Sequence, residues 1–174
     1  AVKINNETVL YIENEIKNND EIIYLCEDDY LHYNNCLDRM KNFFEIYPDY
    51  FCHPTDYPNL YDEMTHLGRK AYSQASEIVV TKNWHWRRVK STTMTFAFKR
   101  HKYIKFQKIF QSMTPTLFWE HMYNVMYIFD ECYSPIPSLT SHLEYNCLPH
   151  CIDTKKIYNN IRLSLDRSNL EIND

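Results

Sequence analysis

Residues 22–29 read Ile22-Ile23-Tyr24-Leu25-Cys26-Glu27-Asp28-Asp29, a continuous apolar run that stops on three acids. An apolar run this short, rich in β-branched residues and without polar alternation, is the form of a strand covered on both faces, as in α/β sheets. Carboxylates gathered where such a strand ends lie in the crevice in which open α/β sheets bind ligands. Three adjacent acids repel one another, and a divalent cation relieves that repulsion. Hard oxygen donors in this number suit Mg²⁺ or Mn²⁺, which in turn hold a diphosphate. The competing reading is an acidic, solvated turn that caps the next helix.

Outward from this strand the pattern alternates. On its N-terminal side Asn6 or Glu7 starts a helix with Val9, Ile12 and Ile16 at helical spacing, ending near Asn18-Asn19-Asp20. On its C-terminal side Asn35 is placed to cap a helix that carries Cys36, Leu37, Met40, Phe43, Phe44 and Tyr47 on one stripe, with Asp38 in its first turn. Tyr50-Phe51-Cys52 is a short strand opening into His53-Pro54-Thr55-Asp56-Tyr57-Pro58, so a second acid follows a second strand. From Glu77 onward the reading is β: Ile78 to Thr81, a Lys82-Asn83 turn, Trp84 to Val89, then alternation over Thr92 to Phe98. Helices resume over His101 to Met113 and again after Thr114-Pro115, where Thr caps and Pro takes the first helical position before Phe118, Met122, Val125 and Phe129. Pro135-Ile136-Pro137-Ser138 excludes a helix and gives the last third a loop-like character. Asp153 caps a short final helix, and the tail after Asp166 is polar. These features describe one α/β domain over residues 1–174.

Composition narrows the function classes. At 174 residues with 44% apolar content the chain can bury a core. One glycine excludes glycine-rich dinucleotide fingerprints and phosphate-cradling loops, each of which needs several positions without a Cβ. A net charge of −4 argues against a dedicated nucleic-acid binder, whose affinity rests on a basic face. No stretch approaches the roughly 18 to 20 apolar residues that span a bilayer, and no basic-then-apolar export signal opens the sequence. The expectation is a cytoplasmic protein without a membrane span, its six cysteines mostly reduced, small apolar side chains.

Several constellations bear chemistry. His142 and Glu144 follow the Pro135–Ser138 segment, and loops of this kind carry function more often than cores do. Imidazole suits Mn²⁺ better than Mg²⁺. A rival zinc set, His142, Cys147, His150 and Cys151, has poor spacing, because adjacent His150 and Cys151 do not readily face one tetrahedral ion. Trp84-His85-Trp86-Arg87-Arg88 joins flat aromatic faces to cations, fit either for sugar or base rings and phosphate oxygens or for an ordinary strand with one aromatic and one basic face. Glu120, in Phe118-Trp119-Glu120-His121, serves as a base if buried or favours a helix N-terminus as a carboxylate.

The blocks Ile23-Tyr24-Leu25-Cys26-Glu27-Asp28-Asp29-Tyr30-Leu31-His32, Asp56-Tyr57-Pro58 with Tyr61, Ser91 to Ala97, and Pro135-Ile136-Pro137-Ser138-Leu139-Thr140 with His142 and Glu144 cover residues 20–155 in order. Together they resemble glycosyltransferases of the GT-A fold, more narrowly a viral and bacterial group of sugar transferases. The resemblance implies a mixed sheet flanked by helices, and either the absence or another source of the N-terminal strands that bind the nucleotide base, because the sequence opens on the helix before the acid-bearing strand. It implies that Glu27-Asp28-Asp29 is the counterpart of the Asp-any-Asp motif, with Asp29 and His142 on Mn²⁺ or Mg²⁺ and Glu27 and Asp28 toward the nucleotide. Asp56, Trp84, His85, Arg87 and Thr93 become candidates for lining the donor or acceptor pocket. Glu120 and Glu144 are the candidate catalytic carboxylates; inverting members place an acidic base where this chain has Thr116. The implied reaction moves a hexose or deoxyhexose from a nucleoside-diphosphate sugar to a glycan or other hydroxyl, in the host cytoplasm if the chain is viral. A non-catalytic binding or zinc-stabilised module is the alternative.

Overall fold

The structure is a computed structural model that describes residues 6–56, 77–89, 95–111, 126–143, 148–149, 151–160 and 162. The elements run α1 (Asn6–Asn14), β1 (Ile22–Leu25), β2 (Tyr30–His32), α2 (Cys36–Ile46), β3 (Phe51–Cys52), β4 (Ile78–Thr81), β5 (Trp84–Val89), β6 (Phe96–Lys99), α3 (Arg100–Lys105), α4 (Gln107–Gln111), β7 (Cys132–Ile136) and β8 (Thr140–His142). Residues 126–129 and 154–160 are helical as well. Six strands form one mixed sheet in the order β1-β6-β3-β7-β5-β4. Among the described residues only β3 and β7 run parallel, and β1–β6, β6–β3, β7–β5 and β5–β4 are antiparallel.

Alternation along the strands divides the core between the two faces. Phe51, Phe96, Phe98 and Cys132 point to one side, where Ile12 of α1, Tyr103, Phe106, Phe110, Met126 and Tyr127 cover them. Their neighbours Cys52, Ala97 and Tyr133 point to the other, where Trp86 and the α2 residues Cys36, Met40, Phe43 and Phe44 pack. The result is a three-layer α/β arrangement with helices on both faces of a mixed sheet.

Several expectations hold and several are corrected. The β4–β5 hairpin with its Lys82-Asn83 turn forms as read. β1 does pack on both faces, Ile23 and Leu25 to one cluster and Ile22 and Tyr24 to the other, yet among the described residues it pairs only with β6 and so lies at the sheet edge. Asn35 adopts left-handed backbone angles and makes no side-chain cap; Asn tolerates that region, and Asp38 alone supplies the favourable first-turn charge. Leu37 lies outside the buried stripe at 56% exposed, about 100° round the helix from Cys36. α1 stops at Asn14, leaving Ile16 to reach the core from outside the helix. The helix expected from His101 breaks at Phe106 into α3 and α4, with no Pro or Gly to signal it.

The largest correction concerns the loops on either side of the acids. Pro135 lies within β7, opposite Trp86; strand pairing with β3 has ended at Cys52, so the missing N–H disrupts no ladder on that side. Residues 30–32 and 140–142, expected as loop, form a separate antiparallel ribbon, β2 with β8. Three residues are too few to show a period, and the partners lie far apart in sequence. The expected helix residues Phe118, Met122 and Val125, the Thr92–Met94 part of the expected alternating stretch, and the polar tail lie outside the described residues.

Candidate functional site

The ribbon builds the site. After β1 the chain turns through Asp28 and Asp29 into β2, where Tyr30 stands directly opposite His142. Opposed residues in an antiparallel pair bring their side chains together, and the two rings stack at 4.8 Å with 2° between planes. The Leu143 amide donates to the Asp29 carbonyl at 2.9 Å, which extends the pairing one step past the ribbon. Asp29 Oδ2 and His142 Nε2 are 2.8 Å apart. The imidazole is only 10% exposed and the carboxylate 51%, so the pair has a dry base and a wet mouth.

A carboxylate only accepts, so Nε2 carries the proton between them. Two cis donors on an octahedral divalent ion at about 2.1 Å stand roughly 3 Å apart, so these atoms already have the spacing a cation needs if it replaces that proton. Carboxylate plus imidazole is a donor set that suits Mn²⁺. Among the described residues no group of three His, Cys, Asp or Glu side chains converges as a metal cage.

Thr95, immediately before β6, holds two strands of the site at once. Its hydroxyl accepts the Glu27 amide at 3.1 Å, and its carbonyl accepts from His53 Nδ1 at 2.6 Å. His53 is completely buried, and burial pushes its pKa down to about 4, with neighbouring His142 acting in the same direction against the Thr95 carbonyl. It is thus a neutral imidazole with its proton on Nδ1. Toward the end of β2, His32 Nε2 lies 2.8 Å from Tyr24 Oη and 3.8 Å from Cys26 Sγ. Burial lowers the His32 pKa and raises those of Cys26 and Tyr24, which keeps all three neutral. Glu27 is half-buried and Asp28 exposed.

Asp56 and Arg87 meet each other: Nη2 to Oδ1 is 3.0 Å, with the side chains 6% and 10% exposed. Trp84 donates from Nε1 to the Pro137 carbonyl at 2.9 Å, and the Arg39 guanidinium sits 4.7 Å over its ring. His85 is exposed and lies on the opposite face of β5 from Trp84. Of the candidates named from sequence, the structure thus joins Asp29 with His142 and Asp56 with Arg87. Thr93, Glu120 and Glu144 lie outside the described residues, as do Cys147 and His150 of the zinc set, whose Cys151 is exposed. Sequence reading missed Thr95 and the buried His53; the signal for His53 was its place directly after a strand, beside Pro54, where a packed surface histidine has little to explain it.

The fold and this pair define a mixed α/β protein with an imidazole–carboxylate couple beyond the carboxyl end of an edge strand. No family model, no curated protein and no solved structure matches the chain. Among the described residues no helix is long and apolar enough to cross a membrane.

Proposed function

We propose that the chain is a metal-dependent glycosyltransferase of GT-A type that moves a hexose or deoxyhexose from a nucleoside-diphosphate sugar to a hydroxyl of a glycan or similar acceptor. The observation that supports this reading is the Asp29–His142 pair, 113 residues apart in sequence and 2.8 Å apart in space at the end of an acid-tipped strand. A mixed sheet covered by helices on both faces fits the same fold type. Five free thiols, at Cys26, Cys36, Cys52, Cys132 and Cys151, fit a reducing compartment such as the cytoplasm.

Asp29 and His142 would hold Mn²⁺ or Mg²⁺, and a bound ion would supply charge neutralisation for a diphosphate leaving group. The protein's own residues do the positioning. Tyr30 stacked on His142 fixes the ring, and Thr95 fixes the backbone that carries Glu27. Glu27 and Asp28 face the nucleotide end. In the transfer the bond from the anomeric carbon to the phosphate oxygen breaks with its electron pair on the diphosphate, the acceptor oxygen bonds to that carbon, and the acceptor's proton passes to a carboxylate, Glu120 or Glu144.

Thermal melting tests this directly. Mn²⁺ together with the correct sugar nucleotide at about 100 times its Kd stabilises by about 2.7 kcal/mol, a rise in Tm on the order of 5–10 °C for a chain of this size. The rise requires both ligands and disappears in Asp29→Ala and His142→Ala. A panel of sugar nucleotides that produces no Mn²⁺-dependent rise, or unfolding by chelators with zinc found in the protein, overturns the assignment.

A further inference from the structure

The segment 53–56 after β3 is wedged between β7 and the start of β8, and each of its four residues contributes a polar group to the bonds that hold it. The His53 amide donates to Tyr133 O at 2.9 Å, and Ser134 Oγ donates to Thr55 O at 2.5 Å. Pro54, which has no amide of its own, offers a carbonyl that accepts from both Leu139 N at 3.0 Å and Thr140 N at 3.2 Å. The Thr55 and Thr140 hydroxyls bond each other. Ser138 Oγ accepts from the Asp56 amide at 2.9 Å and donates to the Thr140 carbonyl at 2.6 Å. β8 is therefore laid down on this segment, and Thr140 and His142 are alternate residues of the same three-residue strand, sharing a face.

The anchor of the segment is the Asp56–Arg87 pair, and its retention needs a reason. A buried ion pair gives little net stability, because desolvation of both charges offsets their attraction, and apolar replacements of both partners are often neutral; fixing one arrangement among several is the better-supported role. Here the pair ties the end of the segment to β5, a strand paired on both sides by β7 and β4, while the other end continues β3. We propose that Asp56 and Arg87 are positioning residues: by fixing residues 53–56 they set the register of β8 and so hold His142 Nε2 against Asp29. This rests on the metal-site reading above, and it gives the two residues a role that does not require them to touch donor or acceptor.

The test uses the full-length chain and Mn²⁺ alone, with the free ion followed by electron paramagnetic resonance. The double substitution Asp56→Asn with Arg87→Met removes the pair without leaving a buried charge. It is expected to weaken Mn²⁺ binding at least tenfold, while Phe110→Leu, which loosens the packing on Phe98 and Tyr103, leaves the affinity within about threefold. Ser138→Ala, which removes the hydroxyl that joins the Asp56 amide to the Thr140 and Pro54 carbonyls, is expected to weaken it three- to tenfold and covers the case in which the double variant does not fold. A second readout is independent of metal: in ¹⁵N-histidine-labelled protein the His142 Nε2 proton, bonded to Asp29, gives a downfield resonance that both variants should lose and Phe110→Leu should keep. Folded variants that keep both the resonance and wild-type Mn²⁺ affinity overturn the proposal. If the wild type binds no Mn²⁺, the metal-site reading fails, and the resonance alone then decides whether Asp56 and Arg87 position His142.

Discussion

At the scale of single residues, the site is a set of protonation states imposed by burial. His53 has its folded pKa depressed to about 4 from 6.5, so the unfolded chain takes up a proton below about pH 6.5 that the folded chain refuses until about pH 4. Stability falls as pH drops through that window and this contribution levels off below it. The shift corresponds to a loss on the order of 3 kcal/mol between pH 7 and pH 4. His53→Asn, whose amide can still donate to the Thr95 carbonyl, should flatten the difference; urea unfolding of both proteins at pH 7, 5.5 and 4 measures it, and parallel curves would assign the acid sensitivity elsewhere. Asp29 and His142 stand together as the resemblance implied; sequence singled out the acids for their place at a strand's end and the imidazole for its place after a proline-rich segment. Thr95 and His53 were not legible, because their roles depend on a backbone carbonyl and a hydroxyl shared across strands, and nothing in a residue's identity announces which carbonyl it will meet.

At the scale of elements, local signals were read well and distant pairings were not. The β4–β5 hairpin formed as expected because turn residues and β-branched neighbours sit side by side in the chain. β2 and β8 have three residues each and owe their existence to one another; isolated, neither has a pattern to read. α1 illustrates a third case. Its terminal turn is tied to α3 and α4 by Glu13 Oε1, which accepts from Tyr103 Oη at 2.6 Å, Gln107 Nε2 at 2.9 Å and Gln111 Nε2 at 2.8 Å. These bonds, that from Tyr103 first, lower the Glu13 pKa from its usual value near 4.5. The stabilisation they give is therefore full above pH 4.5 and lost as pH falls through the depressed folded value. Glu13→Gln should raise amide exchange across residues 10–14 severalfold at pH 7 and leave β5 unchanged, with the difference from wild type shrinking as pH falls below 4.5. Exchange that rises equally throughout would mean that α1 is not fastened by this carboxylate.

At the scale of the whole molecule, the alternation of a few short strands decides what unfolds with what. Phe51 and Cys52 are adjacent yet belong to opposite cores, and both are fully buried, as is Cys132 on the Phe51 side. Sequence reading anticipated an α/β domain with cores of this size from its apolar content, but could not assign faces, because a two-residue strand such as β3 has no period and its place beside β7 is set by contacts 80 residues away. If the three layers form one cooperative unit, the buried thiols report it. Burial raises the Cys36 thiol to about 12 and pushes the Cys52 and Cys132 thiols up as well, so alkylation at neutral pH requires exposure and not merely encounter. Cys151 is exposed and Cys26 partly so, and these should label in the native protein. Cys36, Cys52 and Cys132 should label only through global opening, with the same dependence on urea despite lying in α2, on one face and on the other. Iodoacetamide pulses read by peptide mass spectrometry would show this. Earlier labelling of Cys36 alone would mean that the α2 layer lifts from the sheet by itself, and because α2 follows directly on β2, the ribbon that carries Tyr30 against His142 would then open with it.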